Sequence, residues 1–311
     1  MKKELLILSA TLGLGLLTAC NDKDFCDLPH PHPGQALLTP EWKEVLPPTE
    51  KMTLLFGLPD GTTTIMEMPT SGSYQLTDRA PGTYQAFAYN AAEHIHIEGN
   101  LAQLDQNPDG TLPEPGPLYY GHTSFRIEPD KQVSVSLPML LQTRLLQISL
   151  NLSGEQPDRV IRMEGKLTGI ADTRTLPGLP VPDAPATAPA SRADTGSSRP
   201  GSIPLTFVRT DDELKASYRL LGIDIERRQI LTLVLTYKNG KQESQTYELT
   251  QQLAGFNDDG FTPSFHISAS FVLLPPEPDE PDNPQTALTP GFKIIGWGTP
   301  LPEEGNADME L

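Results

Sequence analysis

From residue 35 onward the apolar side chains come in short runs separated by turn signals, a punctuation that points to antiparallel β-sandwiches. Thirty-two prolines and a modest apolar fraction agree with it, because they call for many turns and some disordered sequence, not for helical packing. The first series of predicted strands covers residues 35–42, 52–58, 62–68, 82–90, 94–98, 124–128 and 132–137. Asp60-Gly61 joins two of them and predicts a two-residue hairpin, since aspartate and glycine tolerate the positive φ that such a turn needs. These strands predict an N-terminal β-sandwich over residues 35–140.

A second series, at residues 142–152, 160–170, 203–209, 214–222, 229–237, 241–249 and 263–273, predicts a C-terminal β-sandwich over 141–274. Asn239-Gly240 supplies the strongest short hairpin signal in the chain. Residues 176–204 are rich in Pro, Ala, Ser, Thr and Gly, with too few large apolar groups to offset the entropy of ordering. They read as a disordered insertion in the second sandwich. As an interdomain linker instead, they would leave the strands of 142–170 without a sheet. An acidic, proline-rich spacer follows at 275–290, stiffened by its PPII preference and like charges. Beyond it lies one more strand-like run, Gly291-Phe292-Lys293-Ile294-Ile295-Gly296-Trp297, in a C-terminal segment of 291–311.

The N-terminus carries a different message. Lys2 and Lys3 precede an apolar run from Leu5 to Leu17, too short to span a bilayer, and Leu17-Thr18-Ala19-Cys20 matches a lipobox. Residues 1–19 therefore read as a removed lipoprotein signal peptide, Cys20 as the lipidation site for fatty chains such as palmitate, and 20–34 as an acylated tether. The alternative is an ordinary secretory leader with an incidental cysteine. Asn21-Asp22-Lys23-Asp24 resembles the surface-export signal of Bacteroidales-type lipoproteins, which favours display on the outer membrane. With Cys20 acylated only Cys26 remains, so no intrachain disulfide can form. The net charge of -17, with no Lys/Arg cluster, argues against a nucleic-acid partner.

Cys20, Lys23-Asp24-Phe25-Cys26, His30-Pro31-His32 and a strand closing at Glu41-Trp42 resemble the opening of a Bacteroidales family of fimbrillin-like lipoproteins of unknown function. Met52-Thr53-Leu54-Leu55-Phe56, Pro81-Gly82-Thr83-Tyr84 and Tyr89-Asn90 are similar to that family's first domain. Asp158-Arg159-Val160 through Gly165-Lys166-Leu167-Thr168-Gly169-Ile170 resembles its second, and Gly291-Phe292 with Trp297 its C-terminal end. The resemblance covers nearly the whole mature chain. It implies two transthyretin-like sandwiches and subunits joined by a donated strand, with minor members anchoring or capping a fibre. It implies adhesion or pilus assembly and no catalysis. The 176–204 insertion departs from a compact pilin, which favours an accessory or anchor subunit over a shaft subunit.

Sites of other chemistry are thinly supported. The sequence has no Gly-x-Ser-x-Gly elbow, His-Glu-x-x-His pair or phosphate-cradling loop, so it predicts no enzyme, no catalytic residue and no cofactor. Asp258-Asp259 sits in a turn-like stretch. Asp105-x-Asn107-x-Asp109-Gly110 copies the first half of a calcium loop, but Gly116 replaces the bidentate glutamate and prolines interrupt it, so it reads as an acidic connection. Cys26, His30 and His32 lack a fourth metal ligand, and His94 and His96 share a face of their predicted strand as a polar pair. No metal site is predicted. Tyr84, Phe87, Tyr89, Tyr119 and Tyr120 are the candidates for a sugar-stacking platform, the basis of an alternative role as a glycan-binding surface lipoprotein. Strand alternation turns Phe87 away from Tyr84, and the tyrosine reads as core.

The assembly candidates are Phe292, Ile294, Ile295 and Trp297. Their segment either completes an open sheet in a neighbouring subunit or closes its own sandwich, the second being favoured by its high effective concentration. Expected partners are the membrane through Cys20, other fimbrial or surface subunits, and host or polysaccharide ligands.

Overall fold

The computed structural model describes residues 32–43, 49–154, 157–179, 195–196, 201–210, 213–258, 262–274 and 292–297. The predicted leader, Cys20, Cys26, His30, the spacer at 275–290 and the tail past Trp297 lie outside them. Apart from one 3-10 turn, the elements are strands.

The first half contributes β1 (Gly34–Trp42), β2 (Lys51–Gly57), β3 (Thr63–Pro69), β4 (Tyr74–Arg79), β5 (Gly82–Tyr89), β6 (Ile95–Glu98), β7 (Leu101–Leu104), β8 (Tyr119–Ile127) and β9 (Gln132–Leu141). Seven of these form one sheet in the order β3-β2-β5-β8-β9-β1-β4. It bends into two layers at β8 and β9, which pair only at Tyr119↔Leu141 and Tyr120↔Leu140. Alternation fills the space between the layers: Ala36 and Leu38 from β1, Met52, Leu54 and Phe56 from β2, and Val135, Leu137 and Met139 from β9 share one core. Phe56 stacks on Tyr84 with centroids 4.9 Å apart.

The second half contributes β10 (Arg144–Gly154), β11 (Val160–Ile170), β12 (Thr173–Thr175), β13 (Thr195–Gly196), β14 (Gly201–Thr210), β15 (Glu213–Leu220), β16 (Ile230–Tyr237), β17 (Gln242–Glu248), β18 (Ser264–Leu273) and β19 (Phe292–Ile295). Its sheet runs β17-β16-β11-β14-β15-β10-β18-β19 and bends at β14 and β15.

Both sandwiches have the same connectivity. Numbered within its own sandwich, the strand order is third-second-fifth-sixth in one layer and fourth-first-seventh in the other. In each, the first strand runs parallel to the seventh, β1 beside β9 and β10 beside β18. They differ at the corners: the first sandwich joins its sixth and seventh strands directly, whereas the second joins its third and fourth and adds β19 beside the seventh.

A third sheet, β13-β12-β7-β6, straddles the two halves, with β7 of the first paired to β12 of the second at Gln103↔Thr173, Ala102↔Arg174 and Leu101↔Thr175. Phe87, Ala102, Leu104, Leu112, Leu118 and Tyr120 consequently join the second sandwich's core cluster. Two tyrosine hydroxyls cross the junction: Tyr120 donates to the Pro177 carbonyl at 2.6 Å and Tyr218 to the Leu112 carbonyl at 2.9 Å.

Three expectations change. The expected division at residue 140 is not a division of cores, because Ala102, Leu104, Leu112, Leu118 and Tyr120 pack with the second half. The expected insertion 176–204 is narrower: Leu176 and Leu179 are buried, Thr195–Gly196 pairs with β12, and β14 already begins at Gly201. Its interior, 180–194 and 197–200, lies outside the described residues. The hairpin signals Asp60-Gly61 and Asn239-Gly240 form three-residue loops with positive φ at the glycine alone, +85° at Gly61 and +84° at Gly240. In both, the glycine amide bonds back three residues, to Leu58 and Tyr237, and a side chain, Asp60 or Asn239, accepts the amide two residues on. That is a type I turn closed by a glycine bulge.

Candidate functional site: the seam closed by the C-terminal strand

β17 and β19 are the two end strands of the eight-stranded sheet, and the bend brings these ends together. β19 lies antiparallel on β18, pairing Leu273↔Phe292, Val272↔Lys293, Phe271↔Ile294 and Ser270↔Ile295. Alternation buries Phe292 and Ile294 and leaves Ile295 52% exposed. Phe292 stacks on Phe271 at 5.3 Å. Gly296, at φ +112°, follows β19, and Trp297 is buried, its ring meeting Tyr247 edge-on at 6.3 Å.

Across the seam, Gln245 and Tyr247 on β17 are two residues apart and both buried. Gln245 Nε2 donates to the Phe292 carbonyl, Tyr247 Oη donates to Gln245 Oε1, and the Ile294 amide donates to Tyr247 Oη at 3.1 Å. Residues 292 and 294 therefore turn these backbone groups away from β18 and find them answered by side chains where a further strand would otherwise pair. Burial pushes the Tyr247 hydroxyl above its ordinary pKa, which keeps it a neutral donor. Among the described residues, the buried Trp297 Nε1 has no hydrogen-bond partner.

Of the assembly candidates, then, Phe292, Ile294 and Trp297 converge on this seam and Ile295 faces outward. Gln245 and Tyr247 escape a reading by pattern, although their i, i+2 spacing on a strand that also carries Glu243 inward is the available signal.

The remaining candidates resolve individually. Tyr84 and Tyr119 lie in the first core, Phe87 and Tyr120 in the second, and Tyr89 packs against the second, so the aromatic set is divided between two interiors. Phe87 does face away from Tyr84, and the second half covers it. In the Asp105–Asp109 loop, Asp109 Oδ1 accepts the Thr111 amide at 2.9 Å and its hydroxyl at 2.6 Å, bonds that hold the carboxyl below its usual pKa. This is a third turn of the type at Gly61, with Gly110 at φ +81°. His94 is not on the strand with His96: it precedes β6 at φ +60° and sits 3.4 Å from Glu93. His96 is 3.7 Å from Asp105 and His32 is 3.3 Å from Asp130. Asp258 lies at the end of a turn, and Asp259 lies outside the described residues. No group of three or more His, Cys, Asp or Glu residues among the described ones could hold a metal ion.

A family model, Mfa2: Fimbrillin-A associated anchor proteins Mfa1 and Mfa2, matches residues 49–294, from just before β2 into β19. The chain belongs to the Mfa2 family. The Mfa2-family match takes in both sandwiches except for β1 and agrees with the fimbrillin-like resemblance of the sequence motifs. Among solved structures, a candidate adhesin from Bacteroides ovatus has a TM-score of 0.51 at 16% identity, over 81% of this chain and 94% of that one, and shows the same fold. The fimbrial anchor protein Mfa2 from Porphyromonas gingivalis gives 0.49 at 13%, over 77% and 91%. A candidate polysaccharide-binding protein from Bacteroides thetaiotaomicron gives 0.46 at 12%, over 87% and 99%. No curated protein sequence matches the chain.

Proposed function

We propose that this chain is an accessory or anchor subunit of a fimbria-like assembly, a structural and adhesion protein held to the outer membrane by lipid on Cys20 and displayed at the cell surface. The observation that carries the reading is the Mfa2-family match across both sandwiches, residues 49–294. The lipobox at Leu17-Thr18-Ala19-Cys20 supplies the membrane attachment, two or more acyl chains giving stable anchoring where one is marginal. Association runs through strands: the first sandwich ends in β3 and β4, whose outer edges carry no neighbouring strand among the described residues and so offer backbone groups to another subunit. Host or polysaccharide ligands belong to the alternative glycan-binding reading, which the division of the aromatic residues between two cores does not favour.

Protease shaving of intact producing cells, with a lysis control and a Cys20→Ser strain, tests this. Release of peptides from 180–194 without lysis, loss of membrane retention in the variant, and co-purification of β-sandwich subunits with the acylated stump are expected. Protection of the chain until lysis, or a stump that brings down no such subunit, overturns the reading.

A further inference from the structure

In the first sandwich, the sixth and seventh strands close their corner by direct pairing of β8 with β9. In the second, the equivalent strands β17 and β18 do not pair, and β19 lies in the gap between them. That gap is a strand-binding site. One wall, β18, offers a ladder of backbone groups, and the other offers Gln245 and Tyr247, which read the backbone of whatever strand lies there. The side-chain pockets take an aromatic residue, an aliphatic one two positions on and tryptophan three beyond that, as Phe292, Ile294 and Trp297 do.

We infer that Gln245 and Tyr247 form a clasp that fixes β19 in its own sandwich, so that this subunit keeps its C-terminal strand instead of donating it to a neighbour. Three observations point the same way. Two of the backbone groups that face away from β18, the Phe292 carbonyl and the Ile294 amide, are already bonded, so a further strand pairs there only by breaking the clasp. The clasp is buried: Gln245 is 5% exposed and Tyr247 is 0% exposed, so water cannot replace the bonds as they open. Trp297 adds an aromatic stop beyond the strand, seated against the clasp tyrosine. A subunit that keeps its strand is suited to one end of an assembly. The inference deepens the anchor reading and rests on it only for that last consequence.

Hydrogen exchange of the mature full-length chain, followed by mass spectrometry, tests the clasp without any partner. In the wild type, peptides containing Ile294 are expected to be protected to within about tenfold of those from β18. Tyr247→Phe leaves the Ile294 amide buried without its acceptor and should speed exchange in β19 by roughly ten- to a hundredfold, with β10 unchanged. A biotinylated peptide of residues 291–298 should fail to enter the wild type and should enter the Tyr247→Phe variant. Exchange of β19 in the wild type at the rate of an unstructured peptide, or ready uptake of the peptide by the wild type, overturns the inference. Either result leaves the anchor reading standing, whereas failure of subunits to co-purify removes the anchor reading and leaves the clasp.

Discussion

One absent methyl group lets the first sandwich turn its corner. Gly121 lies on β8 where an added Cβ would stand 2.5 Å from the Pro138 carbonyl oxygen and 2.8 Å from Met139 Sδ, both on β9. Backbone cannot retreat there without parting the two pairs that join the layers. Gly61 has the opposite character: its Cβ would meet nothing within 4 Å, and only its φ of +85° resists a side chain. Gly121→Ala is therefore expected to cost about 1–3 kcal/mol by overpacking, and Gly61→Ala roughly 1 kcal/mol by backbone strain. Urea unfolding of the two variants beside the wild type measures both, and a Gly121→Ala cost below that of Gly61→Ala would mean that the corner yields easily. The same residue-scale view explains the turn correction. Asp60 and Asn239 act through their side chains, each accepting the amide two residues on, so they need no left-handed backbone of their own.

Elements were legible in proportion to how much of their reason lies within themselves. β1, β2, β16 and β18 alternate buried positions with half-buried or exposed ones over most of their length, and turn residues bound them, so their places followed from the sequence. β4, β7 and β12 did not, because YQLTDR, LAQL and TRT are short and carry little alternation, and each is held by a partner distant in sequence. The site followed the same rule: Phe292 to Trp297 reads as a strand, but the polar pair that holds it belongs to a strand far earlier in the chain. The edge of the expected disordered insertion is a further case, since Leu176 and Leu179 look sparse in a Pro-rich stretch and yet anchor it to the core. Leu176→Ala should destabilise the protein by about 2–5 kcal/mol and speed proteolysis between residues 180 and 194, while Ile65→Ala, at a side chain 70% exposed, should change stability by less than about 0.5 kcal/mol. Denaturation midpoints and nicking rates check this together. A Leu176→Ala protein as stable as the wild type would mean that the segment merely rests on the core.

At the scale of the whole molecule, the two sandwiches share more than a connecting strand, for the third sheet and a common core carry load from one to the other. Tyr120 and Tyr218 add the polar part of that junction, each giving its hydroxyl proton to a carbonyl on the opposite half. Both need to be neutral to do so. Burial raises the pKa of Tyr120 well above the ordinary value, and burial first, with the Glu114 carboxylate second, pushes Tyr218 up to about 12. In the unfolded chain both titrate near 10. Below about pH 10 both states hold these protons and the two tyrosines add no pH dependence to stability. Between about pH 10 and 12 the unfolded chain releases them while the folded chain retains them, so stability must fall as pH rises. The urea midpoint is expected to be level from pH 8 to about 9.5 and to decline steadily beyond it. Tyr120→Phe combined with Tyr218→Phe should lower the level part, by about 1 kcal/mol for each lost bond, and flatten part of the decline. Tyr84, Tyr89, Tyr119, Tyr237 and Tyr247, also raised by burial, sustain the remainder. A decline as steep in the double variant as in the wild type would take the alkaline limit away from the junction and assign it to those interior tyrosines.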